Sequence, residues 1–202
     1  MLGIIDYNMG NLASVYNACL KFTDKVKIVN NQKEIETLDK LILPGVGAYK
    51  DAMQYLEKSN LKDAIIDFAN NQKPLLGICL GMQLLFDSSN EFGYTKGLGL
   101  IEGEIVAFDK SKMKEDLKIP HIGWNKAINR QNTLFKDLHN PYLYFVHSFH
   151  VLTDKKYEIA NTVYGYEFTS AINKKNIFGF QAHPEKSHNN GLKILENFIN
   201  LK

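Results

Sequence analysis

The order of apolar and polar positions in the first half of the chain predicts strands that alternate with helices. Short apolar runs have the length of buried strands and lie at residues 2–5, 26–29, 41–43 and 74–76. Apolar residues spaced three and four apart predict helices at residues 12–20, 49–58 and 61–70. This alternation is typical of a parallel sheet that is covered by helices on both faces.

The second half of the chain changes character. Five apolar segments with few helices between them predict strands at residues 100–108, 142–146, 158–163, 168–172 and 177–180. They are expected to extend the sheet with antiparallel pairs. Residues 191–201 predict a closing amphipathic helix, and the polar stretch 109–118 predicts a surface loop. The expected fold class is therefore α/β with three layers, flavodoxin-like, and residues 1–202 are expected to form one domain.

Composition excludes several classes of function. The 202 residues carry a net charge of only +2, and no basic run is concentrated enough for a nucleic-acid surface. Arg130 is the single arginine, so bidentate clamping of a phosphorylated substrate is nearly excluded. The N-terminus does not resemble a signal peptide, and no apolar run is long enough to cross a bilayer. With two cysteines, a disulfide framework is not expected, and we expect a cytoplasmic protein that binds no membrane.

The segment GICLGMQ, residues 77–83, holds the strongest candidate for chemistry. It follows a predicted strand and precedes an apolar run, which predicts a sharp strand-to-helix turn at Cys79 with Gly77 and Gly81 leaving room for it. The start of a helix favours thiolate over thiol, and thiolate is the nucleophile. The competing interpretation is a buried cysteine that acts as a small hydrophobe, which is our interpretation of Cys19 on its apolar helix face.

A cysteine nucleophile needs a base and a group that orients the base. Of the six histidines, His183 follows the predicted strand 177–180, and Glu185 comes two residues later with Pro184 between them. Ligands bind at the carboxyl ends of strands in open parallel sheets, and both Cys79 and His183 are expected at that edge. The carboxylate could then fix the tautomer of the imidazole.

These residues resemble the Cys-His-Glu triad of the class I glutamine amidotransferases. Three further segments narrow the resemblance to the glutaminase subunits of imidazole glycerol phosphate synthases: PGVGAY at 44–49, PHIGWN at 120–125 and YFVHSFH at 144–150. The resemblance covers essentially the whole chain, and PHIGWN beside PGVG is its most specific part. The sequence departs from the family's pattern at Ala182 and His150, where aromatic residues are usual.

The resemblance implies hydrolysis of the side-chain amide of L-glutamine to glutamate and ammonia, with no cofactor and no metal. Cys79 would attack the amide carbon, and His183 would protonate the leaving ammonia. The oxyanion would be held by the backbone N–H of Leu80 and by the loop that contains Val46 and Gly47. In this family the loop is thought to turn one peptide group when the synthase subunit binds its substrate.

The resemblance also implies where glutamine and the partner bind. Glutamine binding is carried over to Gly45, Gly47, Gln83, Ser148 and Phe149. The implied partner is a (βα)₈-barrel cyclase subunit that receives the ammonia and forms imidazole glycerol phosphate and AICAR in histidine biosynthesis. The expected heterodimer contact consists of Trp124, Asn125 and Lys186.

Three other functions compete with this hypothesis. A paralogous glutaminase could supply a sugar-modifying amidotransferase, because the acceptor site lies on another chain. A metal site built from Cys79, His183 and Glu185 with His147 or His150 lacks a closely spaced ligand pair such as CxxC or HExxH. A nucleotide-binding module would need a phosphate loop, but the glycines of residues 97–103 have the wrong spacing and precede a predicted strand.

Overall fold

The computed structural model describes residues 1–113 and 115–201. Within these residues, the helices are α1 (Leu12–Leu20), α2 (Gln32–Glu36), α3 (Tyr49–Lys58), α4 (Leu61–Asn70), α5 (Leu80–Leu84) and α6 (His188–Ile199). The strands are β1 (Leu2–Ile5), β2 (Val26–Val29), β3 (Lys40–Leu43), β4 (Leu75–Ile78), β5 (Phe86–Ser89), β6 (Thr95–Lys96), β7 (Ile101–Ala107), β8 (His121–Lys126), β9 (Ile128–Asn129), β10 (Tyr142–His147), β11 (Phe149–Leu152), β12 (Glu158–Tyr164), β13 (Tyr166–Lys174) and β14 (Ile177–Phe180).

The central sheet confirms the predicted fold class. Its main path runs β2-β1-β3-β4-β14-β13-β11-β7-β5-β6, with β12 and β9 joined beside β13. The five strands from β2 to β14 are parallel, and the pairs of β13 with β14 and with β11 are antiparallel. Strands β8 and β10 form a separate antiparallel pair. The parallel half thus brings the ends of β3, β4 and β14 to one edge.

The two faces of the sheet bury different helices because side chains alternate along each strand. Leu41 and Leu43 of β3 pack with the core on the side of α2, α3 and α4, while Ile42 packs on the other side with α1 and α6. This arrangement explains why three-residue apolar runs form strands here: both faces of a central strand are covered.

Several elements differ from the sequence prediction. The helix after Cys79 has only five residues, and Phe86 already belongs to β5. Helix α2 and the strands β5, β6, β8, β9 and β11 were not predicted. In β8 the buried position is His121, which gives no apolar period. The predicted loop at 109–118 contains a 3₁₀ turn at Lys110–Lys112, and its residue 114 lies outside the described residues. None of the helices in the described chain is long and apolar enough to span a bilayer.

Candidate active site

The turn at Cys79 joins β4 to α5 in a strained conformation. Cys79 has φ +54° and ψ −111°, and its N–H donates to the carbonyl of Phe180 at 2.8 Å. A Cβ at Gly81 would overlap the carbonyl oxygen of Leu43, and a Cβ at Gly77 would lie 2.7 Å from the Gly81 carbonyl oxygen. Both flanking glycines are therefore required by close backbone approach, as expected for a turn that presents a nucleophile.

The base is held rigidly at the end of the neighbouring strand. The N–H of His183 donates to the carbonyl of Tyr144 in β10 at 2.8 Å, and the Ser187 hydroxyl donates to the carbonyl of His183 at 2.6 Å. His183 Nδ1 lies 2.8 Å from Glu185 Oε1, and each of these two side chains is only 2% exposed. The pair is thus fixed in both backbone and side chain.

The charges around His183 favour its protonated form. Burial alone would lower the pKa of His183, but the nearby Cys79 sulfur and the Glu185 carboxylate outweigh it and raise the pKa. Nδ1 donates to the carboxylate, so Nε2 is the nitrogen free for chemistry, and it makes no hydrogen bond of ordinary geometry within the described chain. A protonated imidazole beside a sulfur is the arrangement that a cysteine hydrolase needs.

A single cavity brings most of the predicted site residues together. Its volume is about 450 Å³, and Cys79 and His183 both line it. The other predicted residues in its wall are Val46, Gly47, Leu80, Gln83, Ser148 and Phe149. Gly45 packs behind the wall, where a Cβ would lie 2.9 Å from the Leu80 Cβ, and Glu185 lies behind His183. Among the described residues, no group of three His, Cys, Asp or Glu side chains could hold a metal ion.

The predicted oxyanion loop has one of its donors engaged elsewhere. The N–H of Val46 donates to the carbonyl of Met9 at 3.3 Å, so it must be released before it can serve an oxyanion. The Tyr7 hydroxyl donates to the carbonyl of Pro44 at 2.8 Å and anchors the start of the loop. Gly47 has φ +102°, a region that favours glycine. The N–H of Leu80, at the first position of α5, has no acceptor within its own helix.

Gln83 is buried and its amide nitrogen is fully used. It is 6% exposed, and Nε2 donates to the carbonyl of Phe149 at 3.1 Å and to Gln181 Oε1 at 2.9 Å. Only its carbonyl oxygen is therefore available to a ligand. In the predicted contact with glutamine, Gln83 can therefore act only as a hydrogen-bond acceptor.

Five residues of the cavity wall were not among the predicted site residues: Glu91, Phe92, Pro120, Val146 and His147. Glu91 Oε2 accepts the N–H of Tyr49 at 2.7 Å, which fixes its carboxylate at the start of α3. Its only sequence signal is an acidic residue in a short polar turn, and such residues are usually solvated. Pro120 and His147 lie within motifs that the resemblance had singled out.

The predicted partner residues lie on β8 and before α6. Trp124 is 44% exposed and stacks on His188 with ring centroids 4.8 Å apart. It is therefore no core residue. Lys186 is exposed, while Asn125 is half-buried and donates to the carbonyl of Val163 at 2.8 Å.

The two departures from the family pattern lie outside the cavity wall. Ala182 is fully buried, and His150 Nε2 lies 2.8 Å from the hydroxyl of Tyr166. His150 instead joins His121 and His147 around the ring of Phe108. Burial lowers the pKa of His121 to about 4 and of His147 to about 3, and it also lowers that of His150.

These three histidines predict a loss of stability in mild acid. An unfolded chain takes up protons below its histidine pKa of about 6.5, whereas the folded chain keeps these rings neutral, so unfolding becomes easier as pH falls. Each ring costs at most about 1.4 kcal/mol per pH unit over this range. Urea unfolding between pH 6.5 and 5, where His183 is protonated in both states, measures the slope. His150→Phe should reduce it by up to about one-third. If His150→Phe left the slope unchanged, the buried ring of His150 would not be one of its causes.

Comparison with known proteins identifies the class of protein to which the chain belongs. The family model for "Glutamine amidotransferase class-I" matches residues 3–201. Solved structures agree in fold: the Thermotoga maritima PurLQS structure has a TM-score of 0.76 at 19% identity, covering 98% of this chain and 97% of that one. The Trypanosoma brucei CTPS glutaminase domain has a TM-score of 0.66 at 14% identity, covering 98% and 91%. At this identity, the two structures establish the fold alone.

Curated relatives narrow the assignment. The imidazole glycerol phosphate synthase subunit HisH of Sulfurimonas denitrificans is 58% identical, over 98% of this chain and 97% of that protein. The subunit of the same name from Methanocaldococcus jannaschii is 48% identical over the full length of both. The chain therefore belongs to the class-I glutamine amidotransferases and, within them, to the family of imidazole glycerol phosphate synthase HisH subunits.

Proposed function

We propose that this protein is the glutaminase subunit of an imidazole glycerol phosphate synthase and that Cys79, His183 and Glu185 form its catalytic triad. One observation carries the proposal: the strained cysteine turn and the buried His183–Glu185 pair meet at one cavity. Full-length similarity to HisH subunits supports histidine biosynthesis over the paralogous sugar-modifying role.

The proposed reaction proceeds through a thioester. The Cys79 thiolate attacks the side-chain amide carbon of glutamine, and the proton on His183 Nε2 goes to the departing nitrogen, which leaves as ammonia. Neutral His183 then removes a proton from water, the hydroxide attacks the thioester, and glutamate and the thiolate are released. Positioned proton transfer of this kind contributes about 10²–10⁴-fold. Glu185 stabilises the imidazolium in both steps through its bond to Nδ1.

The cavity supplies groups for the amino-acid end of glutamine. The Glu91 carboxylate and the free carbonyl oxygen of Gln83 are acceptors suited to an α-ammonium group. Gly45, Gly47, Ser148 and Phe149 are proposed to position the rest of the substrate. With its amino-acid end bound by these residues, glutamine would have its side-chain amide at the Cys79 end of the cavity.

The oxyanion of the tetrahedral intermediate is proposed to bind the N–H of Leu80 and a peptide of the Val46–Gly47 loop. The bond from Val46 to the Met9 carbonyl supports a resting state with one donor withheld. Losing one oxyanion donor costs about 10²–10³-fold in turnover. Turnover by the isolated chain is therefore expected to be slow until the loop moves.

A second chain is part of the proposal, because ammonia released into water is protonated and lost as a nucleophile. The proposed partner is a (βα)₈-barrel cyclase that forms a heterodimer through Trp124, Asn125 and Lys186. An exposed tryptophan is suited to anchor an interface. The two free cysteines support a reducing, cytoplasmic location.

The test combines an assay with an affinity label. We expect glutamate release to rise at least 100-fold when a purified cyclase and its nucleotide substrate are added, which follows from recovery of one oxyanion donor. Diazo-oxonorleucine should then inactivate the complex, and peptide mass spectrometry should place the adduct on Cys79. An adduct at Cys19 or elsewhere in an active preparation would refute the assignment of Cys79 as the nucleophile. Glutaminase activity that does not change when the cyclase and its substrate are added would refute only the proposed loop mechanism.

A further inference from the structure

Gln181 lies beside the sulfur of Cys79 and is not among the site residues predicted from the sequence. It follows β14 directly, two residues before His183, and it is fully buried. Its backbone N–H donates to the carbonyl of Ser170 at 2.9 Å, which fixes the start of its side chain. The side chain occupies the space between Gln83 and Cys79.

The orientation of the Gln181 amide follows from its neighbours. The carbonyl of Phe149 can only accept, and it receives His147 Nδ1 at 2.8 Å and Gln83 Nε2 at 3.1 Å. Gln83 must therefore turn its nitrogen toward that carbonyl, and the same nitrogen donates to Gln181 Oε1 at 2.9 Å. Because its oxygen is taken, Gln181 presents Nε2 to the sulfur of Cys79 at 3.8 Å.

An N–H directed at sulfur stabilises the thiolate more than the thiol, because a charged acceptor forms the stronger hydrogen bond. The carbonyl of Val146 lies 3.9 Å from the same sulfur and favours the protonated thiol, so Gln181 opposes it. The other titratable groups around the sulfur are His183, Glu185 behind it, and Tyr7. The Tyr7 hydroxyl already donates to Pro44, so its proton is directed elsewhere.

We propose that Gln181 is a positioning residue that donates its side-chain N–H to the Cys79 thiolate, with Gln83 holding the amide in the donating orientation. The proposal rests on the proposed function only in taking Cys79 as the nucleophile. It also gives Gln83 a second task besides substrate binding. Gln181 itself touches no substrate, since it does not line the cavity.

The test is the pH dependence of alkylation of Cys79 by iodoacetamide in the full chain, with the adduct assigned by peptide mass spectrometry. Gln181→Met removes the donor at similar length. Gln181→Glu keeps an oxygen for Gln83 but places a second oxygen at the sulfur. The pH midpoint should rise by about 1 unit or more in Gln181→Met, and further in Gln181→Glu. In the complex, kcat should fall about 10-fold or more for Gln181→Met with KM nearly unchanged.

Cys19 provides an internal control for folding. It is fully buried, and burial, assisted by the charge of Glu185, raises its pKa to about 12. A shifted Cys79 midpoint with Cys19 still protected supports the proposal. An unshifted midpoint overturns it, and so does a shift accompanied by equal exposure of Cys19, because Gln181 would then act only in packing. A wild-type complex that does not consume glutamine would refute the proposed function, whereas the Cys79 midpoints would still decide the role of Gln181.

Discussion

Cys79→Ala should reduce glutamine-dependent synthesis by the complex about 10⁴-fold or more, because removing the nucleophile of a catalytic triad disables the whole triad. Synthesis from added ammonia should stay within about twofold of wild type, since that reaction needs only the cyclase. The change removes one buried sulfur, whose hydrogen bonds with Val146 and Gln181 are long, at 3.9 and 3.8 Å. The fold is therefore expected to survive. Paired assays with glutamine and with ammonium salt measure the two activities.

Cys19→Ala is the matched control for this experiment. It removes the other free thiol from the buried face of α1, where no cavity residue lies. Both activities should persist, with a stability loss of about 1 kcal/mol from the missing sulfur. If Cys79→Ala still used glutamine while Cys19→Ala did not, the assignment of the nucleophile would be reversed.

The sequence predicted those parts of the site that a local backbone motif encodes. Gly77 and Gly81 around Cys79 reflect close backbone approach, and such a constraint is visible in the sequence because only glycine meets it. The pairing of His183 with Glu185 could be predicted for the same reason, since two residues joined by proline at a strand end are positioned by local geometry. Helices α3 and α4 were predicted to the residue because their apolar period is complete.

Contacts between distant segments could not be predicted in this way. Gln181 and Gln83 are 98 positions apart in the chain, and neither shows a pattern that implies their hydrogen bond. The bond from Val46 to Met9 joins two backbone groups, which leave no trace in residue type. Strand β8 was missed because its exposed positions include Ile122 and Trp124 while a histidine is buried. The usual rule that apolar residues point inward fails on such a surface.

Gly81→Ala should cost about 3 kcal/mol of stability or more and should abolish glutamine turnover in whatever fraction remains folded. The added methyl group would overlap the carbonyl oxygen and carbon of Leu43. Because these are backbone atoms at the end of a central strand, they cannot move aside as a flexible side chain can. Either α5 shifts away from β3 or the turn at Cys79 opens. Both movements displace the sulfur and the N–H of Leu80 from the Gly45–Gly47 loop.

Gly10→Ala separates this effect from the general cost of adding a methyl group near the site. A Cβ at Gly10 would meet Pro44 only at 3.6 Å, an ordinary contact, so the free energy of unfolding should change by about 0.5 kcal/mol or less. Urea denaturation of both variants measures the difference, and thioester formation with glutamine measures the turn itself. A stable Gly81→Ala protein that still forms the thioester at the wild-type rate would mean that the close approach of α5 to β3 is not needed for catalysis.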